Sequence, residues 1–414
     1  MLWKRTKRFW KCGLAAISFA LLVGIFVGVV GGRLPETRME REEAGQAEEE
    51  RAALEEICLD LYKKAEEEGR TDELETIGAI VRSFGAYGYP AVDSKNQVDM
   101  EKAEQLLQFC RAVDRKQEAE ITVFEVDYRE GFVKYDLQAK EGNVQVQRSY
   151  YRYENGAMQR KSLECYPAED WKYTKEGYLM FSGVHFSEER YAQTLSMAEK
   201  HTALRIAPLD ETCREWNRTC ILPIGYAYNN MFLTEWKETD FGELNFYDMY
   251  DIFYEKLYGK EVPYAADKNV GVRAVYQIPE GEFETVLMKY FRIAPETLRS
   301  KTVYCPETGS YAYSPRGLEE TEYPEYPYPE VFDFTENSDG TITLLVRAVF
   351  PYAGDSNVYV HEVVVRPLEK KEVQYVSNKI VSAGKHGGAA WHTPRLMPGG
   401  QEEKAIPIPK AQRE

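Results

Sequence analysis

Apolar and polar positions fall into three successive regimes along the chain. From Cys12 to Gly32 the run CGLAAISFALLVGIFVGVVGG contains no charged residue. About twenty apolar residues at helical rise match the ~30 Å hydrocarbon core of a bilayer, which predicts a transmembrane helix over 12–32. Residues 33–53 are charged on all sides, with Glu42, Glu43, Glu48, Glu49 and Glu50 prominent. That pattern predicts a solvated stalk, helical at best.

From Leu54 the periodicity becomes that of a folded chain. Leu54, Ile57, Cys58, Leu61 and Tyr62 recur at helical spacing, as do Leu74, Ile77, Val81 and Phe84, whose helix the cluster GAYGYP ends. A third helix is expected from about Met100 to Val113. The period then drops to two in ITVFEVDY, GFVKYDLQA and NVQVQRSYYRY. Val144 and Val146 alternate with Gln145 and Gln147, the mark of a sheet with one wet face. Asn155-Gly156 is a strong hairpin turn, and TKEGYLMF is a further strand. Helices followed by an antiparallel meander define a first α+β domain over 54–203.

The stretch 204–270 is dense in aromatics and reads as a helical connector. Its helix, from about Glu243 to Tyr258, gathers Phe246, Met249, Tyr250, Phe253 and Leu257 on one face. Residues 271–382 begin with the helix PEGEFETVLMKYFRI and end in four extended runs, a second α+β domain with a β-meander, cystatin-like in shape. The first run starts in TEYPEYPYPEVFDF. Proline is tolerated at a strand's start, so Tyr323 to Pro329 reads as a lead-in and Val331 to Phe334 as strand. Residues 383–414 turn to Gly, Pro, Lys and Glu, the composition of a disordered tail.

Charge orients this layout. The 414-residue chain has a formal net charge of −16, which excludes a general nucleic-acid binder. The first eleven residues are the exception, with Lys4, Arg5, Lys7, Arg8 and Lys11 and no carboxylate. The positive-inside rule keeps that end in the cytoplasm and sends the bulk of the chain outside, as a single-pass protein of the cell membrane. A cleaved signal peptide competes with this reading. The apolar run is long for one, and Gly31-Gly32-Arg33-Leu34 is a poor cleavage site, so an uncleaved anchor is favoured. Gly24, Gly28 and Gly32 make two overlapping G-x-x-x-G steps, a spacing that permits a homodimer through the membrane helix, although glycine is common in such helices. Cys58, Cys110, Cys165, Cys213, Cys220 and Cys305 follow the apolar run. Their even number permits disulfides, with Cys213/Cys220 the most plausible local bridge.

Several long phrases, among them PIGYAYNNMFLTEWKETDFGELNFYDMYDIFYEKLYG, YPYPEVFDFTENSDGTITLLV and HEVVVRPLEKKEVQYVSN, resemble an uncharacterised clostridial family. Its members look like extracytoplasmic proteins held by an amino-terminal membrane or lipid anchor, and they form a domain of unknown function. The resemblance runs from about Thr71 to Ile380 and implies surface localisation but no activity. This chain has no cysteine for lipidation after its apolar run, which favours a helical anchor.

The sharpest constellation is Asp248, Asp251 and Glu255, at i, i+3 and i+7 on the helix face opposite the apolar one. Three carboxylates there can hold a hard cation or, with Glu235, Asp240 and Glu243, supply the pair that glycoside hydrolysis needs. The same pattern is the ordinary solvated face of an amphipathic helix, which is the favoured reading. Asn229 and Asn230 can hydrogen-bond a glycan or peptide, or build Asx turns. His361-Glu362 lacks the second histidine of a zinc-protease motif and falls in a strand pattern. No P-loop, G-x-S-x-G or dinucleotide glycine pattern occurs, and no metal or cofactor is called for. Two functions remain: a non-catalytic surface module that binds a protein or envelope component, and an envelope glycan hydrolase using the acidic aromatic region.

Overall fold

A computed structural model describes residues 38–187, 191, 197–264, 275–316, 326–369, 372–384, 391, 395 and 398. The apolar run 12–32, with Gly24, Gly28 and Gly32, lies outside them. No helix among the described residues is long and apolar enough to cross a membrane. The chain divides into two units, Met1–Ala53 and Leu54–Glu414. In the first, the charged stretch is helical from Arg38, the start of α1 (Arg38–Glu68).

The second unit is mixed α+β with several antiparallel sheets. Its first half holds α2 (Leu74–Ala86), β1 (Ala91–Asp93), α3 (Ala103–Asp114) and a meander of β2 (Ala119–Asp127), β3 (Gly131–Lys140), β4 (Asn143–Glu154) and β5 (Ala157–Pro167). These strands form a five-stranded sheet in sequence order, antiparallel except for the short parallel β1–β2 pair. Asn155 and Gly156 both have positive φ, 54° and 76°, as the two-residue hairpin turn requires. At Gly131 a Cβ would lie 2.3 Å from the Tyr151 carbonyl oxygen, so only glycine fits where β3 meets β4.

Each face of this long sheet is covered at one end only. Phe124, Val126, Phe132 and Tyr151 pack under Ile57, Cys58, Tyr62, Ile80 and Phe84 of α1 and α2. On the opposite face Val123, Leu137 and Val146 meet Leu106, Phe109 and Val113 of α3. The same core takes in Leu179, Phe181 and Leu204 from a second, three-stranded sheet of β6 (Lys172–Tyr173), β7 (Tyr178–His185) and β8 (Ala198–Arg205). The arrangement leaves the Gln145/Gln147 end of one face open.

The second half packs around one large core. It contains α4 (Glu211–Trp216) running into a π-helical turn (Asn217–Ile221), β9 (Trp236–Lys237), α5 (Phe246–Tyr258), β10 (Tyr276–Pro279), α6 (Glu280–Tyr290) and α7 (Pro295–Lys301). Then come β11 (Tyr304–Cys305), β12 (Ser310–Tyr313), β13 (Tyr328–Glu336), β14 (Ile342–Phe350), β15 (Asp355–Pro367) and β16 (Val373–Ala383). The last four strands form an antiparallel meander to which β9 adds an edge. β13 begins at Tyr328, inside the Tyr-Pro lead-in, with Pro329 at the outer strand of the sheet, where no ladder donor is missed.

The aromatic density of this half is a core, not a surface. Tyr250 and Tyr264 donate to Glu282 at 2.6 and 3.2 Å, Tyr304 donates to Glu280 at 2.6 Å, and Tyr311 donates to Glu284 at 2.7 Å. Buried tyrosine needs a partner for its hydroxyl, and α6 supplies a row of carboxylates. Cys213 and Cys220 are both buried and free. They stand seven helical steps apart, about 10 Å at ~1.5 Å per residue, too far for the expected bridge.

Candidate functional site

The acidic stripe of α5 is split by its surroundings. Asn245 caps the helix, accepting from the N–H groups of Tyr247 and Asp248 at 3.0 and 3.3 Å. Asp248, in the first turn, is buried and held by Arg316, with Nε 3.1 Å and Nη2 3.0 Å from its two oxygens. Arg395 Nη1 reaches both Asp248 at 3.3 Å and Asp251 at 2.6 Å, while Tyr313 donates to Asp251 at 2.6 Å. Burial raises the Asp251 carboxyl above the usual range, and Arg395 opposes that shift. Glu255, about one turn beyond Asp251, is exposed. The three carboxylates therefore do not converge: two close an arginine clamp and the third faces solvent. The sequence pattern could not reveal this, because Arg316 and Arg395 arrive from far along the chain. Arg395 and the buried Trp391 fall in the stretch expected to be a disordered tail.

Asn229 and Asn230 are both turned inward on backbone groups. Asn229 donates to the carbonyls of Ile224 and Ala227 at 3.1 and 2.8 Å and accepts from Met231 N–H at 3.0 Å, an Asx turn. Asn230 accepts from Asn245 N–H at 3.0 Å and donates to the Glu243 carbonyl at 2.7 Å. Among the described residues no group of three or more His, Cys, Asp or Glu is placed to hold a metal ion. His361 is wholly buried between Tyr226 and Asn378. The Asn378 amide nitrogen donates to the Thr234 carbonyl at 2.7 Å, so its oxygen faces His361 Nδ1, 2.7 Å away. Nδ1 therefore carries the proton and Nε2 accepts from the Tyr226 hydroxyl at 2.9 Å. Burial pushes this imidazole down to about 4.

The prominent open concavity lies on the first sheet, where α1 and α2 leave it uncovered. It is a groove of about 740 Å³, a volume within the range of ligand sites. Two cross-strand rows form its floor. Glu120, Gln138 and Gln145 are in register across β2, β3 and β4, as are Thr122, Asp136, Gln147 and Cys165 across β2 to β5. Strands about 4.8 Å apart thus present amide, hydroxyl and carboxylate groups in a regular array. Thr122 Oγ1 donates to Asp136 at 2.6 Å, and Lys134 Nζ pairs with the same carboxylate at 2.9 Å. Tyr89, partly exposed, stands at the groove with its ring edge-on to Phe124, centroids 5.2 Å apart. Among the described residues no Lys, Arg or His lines the groove.

The uncovered end of the other face is different. There Glu164 accepts from Arg148 at 3.0 Å and Lys200 at 2.8 Å, so the charges engage each other. The sequence carried one signal for the groove, the Val/Gln alternation of β4. Which end of that wet face the helices would cover was not written in the period.

The fold and the groove belong to a chain whose residues 44–395 match the model of a family of unknown function, DUF6070. This chain is a member of that family. The match ends at Arg395, the residue that closes the clamp on Asp248 and Asp251. No curated protein and no solved structure matches the chain.

Proposed function

We propose that this protein is a non-catalytic binding module held at the outer face of a Gram-positive cell membrane, with the groove of the first sheet as its binding surface. The groove carries the reading: an open, uncharged-to-acidic floor of amides and hydroxyls on a rigid sheet, the kind of array that orients a polar ligand. The apolar run 12–32, its basic flank and the charged stretch after it support an anchored, extracytoplasmic placement, and Gly24, Gly28 and Gly32 support a paired membrane helix. The resemblance to clostridial surface proteins agrees with that placement. A helix, α6, lying on the terminal antiparallel meander supports a cystatin-like second half.

Catalysis finds less support. Asp248 and Asp251, the carboxylates offered for hydrolysis, are tied to arginines. In the groove Asp136 is engaged by Thr122 and Lys134, which leaves Glu120 without the second carboxylate that glycoside hydrolysis requires. Affinity capture from intact cells, with the full chain as bait, tests the proposal. A partner retained by the wild type and lost from Gln145→Arg/Gln147→Arg is the expected result. Equal retention by both would remove the groove from the account.

A further inference from the structure

We propose that the groove takes its ligand by strand addition: an extended peptide segment of a partner, free of acidic residues, pairs with the open edge of β2. This deepens the reading of the groove as the binding surface and rests on it. β1 covers β2 only at Phe124, Glu125 and Val126. There Phe124 N–H donates to the Pro90 carbonyl at 2.9 Å, and the Val126 carbonyl accepts from Ser94 N–H at 2.9 Å. Within a strand the N–H and C=O of one residue point to one side, and the side alternates along the chain. Glu120 and Thr122 therefore turn both groups outward on the edge that Phe124 and Val126 use. Among the described residues no backbone group meets them there.

That free edge is part of the groove wall, together with Gly88, Tyr89, Pro90 and Gln105. The chain leading into β1 does not fill it. Gly88 takes φ 95°, and Tyr89 N–H donates to the Phe84 carbonyl at 3.1 Å, which carries this segment away from β2. What remains is a slot in line with β1, beside Ala119 to Val123, long enough for about five extended residues at ~3.3 Å each. Main-chain pairing would supply affinity, and alternate side chains would read the walls. Charge decides which side chains are suited. The groove has no cation in its lining, Asp136 is already matched by Lys134, and Glu120 has no ion pair among the described residues. An acidic segment is repelled, and a lysine or arginine opposite Glu120 is favoured.

The test pans a displayed library of random linear peptides against the full chain and follows the selected peptides by amide hydrogen exchange. Binding should slow exchange at Glu120 and Thr122 by about tenfold or more and leave Phe124, already paired, unchanged. Thr122→Pro removes one outward N–H at an edge where the fold does not need it, and should weaken binding about tenfold. Glu120→Lys should move the selected sequences from basic to acidic. If Thr122→Pro fails to fold, amide protection and the Glu120→Lys selection decide. Peptides that bind without protecting these two amides would overturn strand addition. So would a neutral cell-wall polysaccharide that perturbs Gln145 and Gln147 while no peptide binds; both outcomes leave the groove as the binding surface. If neither peptides nor polysaccharide bind, strand addition and the groove reading both fall.

Discussion

Arg205 Nη1 lies 2.7 and 2.8 Å from the two carboxylate oxygens of Glu330, and both side chains are almost wholly buried. Arg205 ends β8 and Glu330 lies two residues after the start of β13, so the pair fastens the three-stranded sheet to the terminal meander. Tyr178 of β7 also donates to Glu330, and Asn96 donates to Tyr178 and Tyr328 hydroxyls at 2.8 and 3.1 Å. The Arg347 guanidinium stands 3.4 Å from the same carboxylate. A buried charge is tolerable only while each member keeps its partners.

Removing the carboxylate should therefore be costly. Glu330→Ala leaves the buried Arg205 and the half-buried Arg347 without their counter-charge, and a loss of about 3–5 kcal/mol is expected. Urea denaturation of the variant against the wild type measures it. A change within ~0.5 kcal/mol, ordinary for a surface substitution, would mean that the pair is not the fastening.

The clamp on α5 makes a second prediction. Arg395→Ala strips Asp251 of its cation but leaves Asp248 with Arg316, so about 3 kcal/mol should be lost, the low end for a broken buried pair. Truncation before Trp391 should cost more, because it also removes an indole packed on Tyr226, Phe350 and Tyr359. Thermal melts of both variants check the order.

These two contacts mark the limit of what the sequence could reveal. Elements followed from local periodicity: the β2–β5 meander, the Asn155-Gly156 turn, α5 and α6 fall close to where the hydrophobic spacing places them. α5 even has its aromatic face as expected. What the period of one helix cannot contain is the arrival of distant arginines, so Asp248 looked solvated although it is buried. Nor does the spacing of the tyrosines show that α6 places Glu280, Glu282 and Glu284 under their hydroxyls. β1 and β9 are too short to leave a pattern, and they set which edges of the two large sheets stay open.

His361 sets a pH dependence. The unfolded imidazole titrates near 6.5 and the folded one near 4, so between those values the unfolded chain binds a proton that the folded chain refuses. Stability is thus full above about 6.5 and falls as pH drops toward 4, by up to roughly 3 kcal/mol from this group. Denaturation midpoints from pH 7 to 4.5 should show this slope, and His361→Phe should flatten it. An imidazole proton resonance of His361 that titrates near 6.5 in the folded protein would contradict the burial.

The anchored layout is tested on intact cells. Protease added from outside should digest the chain beyond the apolar run 12–32 and spare the basic amino terminus. Protection of the groove-bearing half would put the protein on the other side of the membrane.

The groove is the proposed binding surface, and a photoreactive side chain placed at Gln147 tests it most directly. Illumination of intact cells should give a discrete adduct from that position and none from the same probe at Glu255, which is exposed on α5 outside the groove. Adducts of equal yield from both positions, or none from Gln147, would contradict the claim that this open end of the first sheet is where the protein binds.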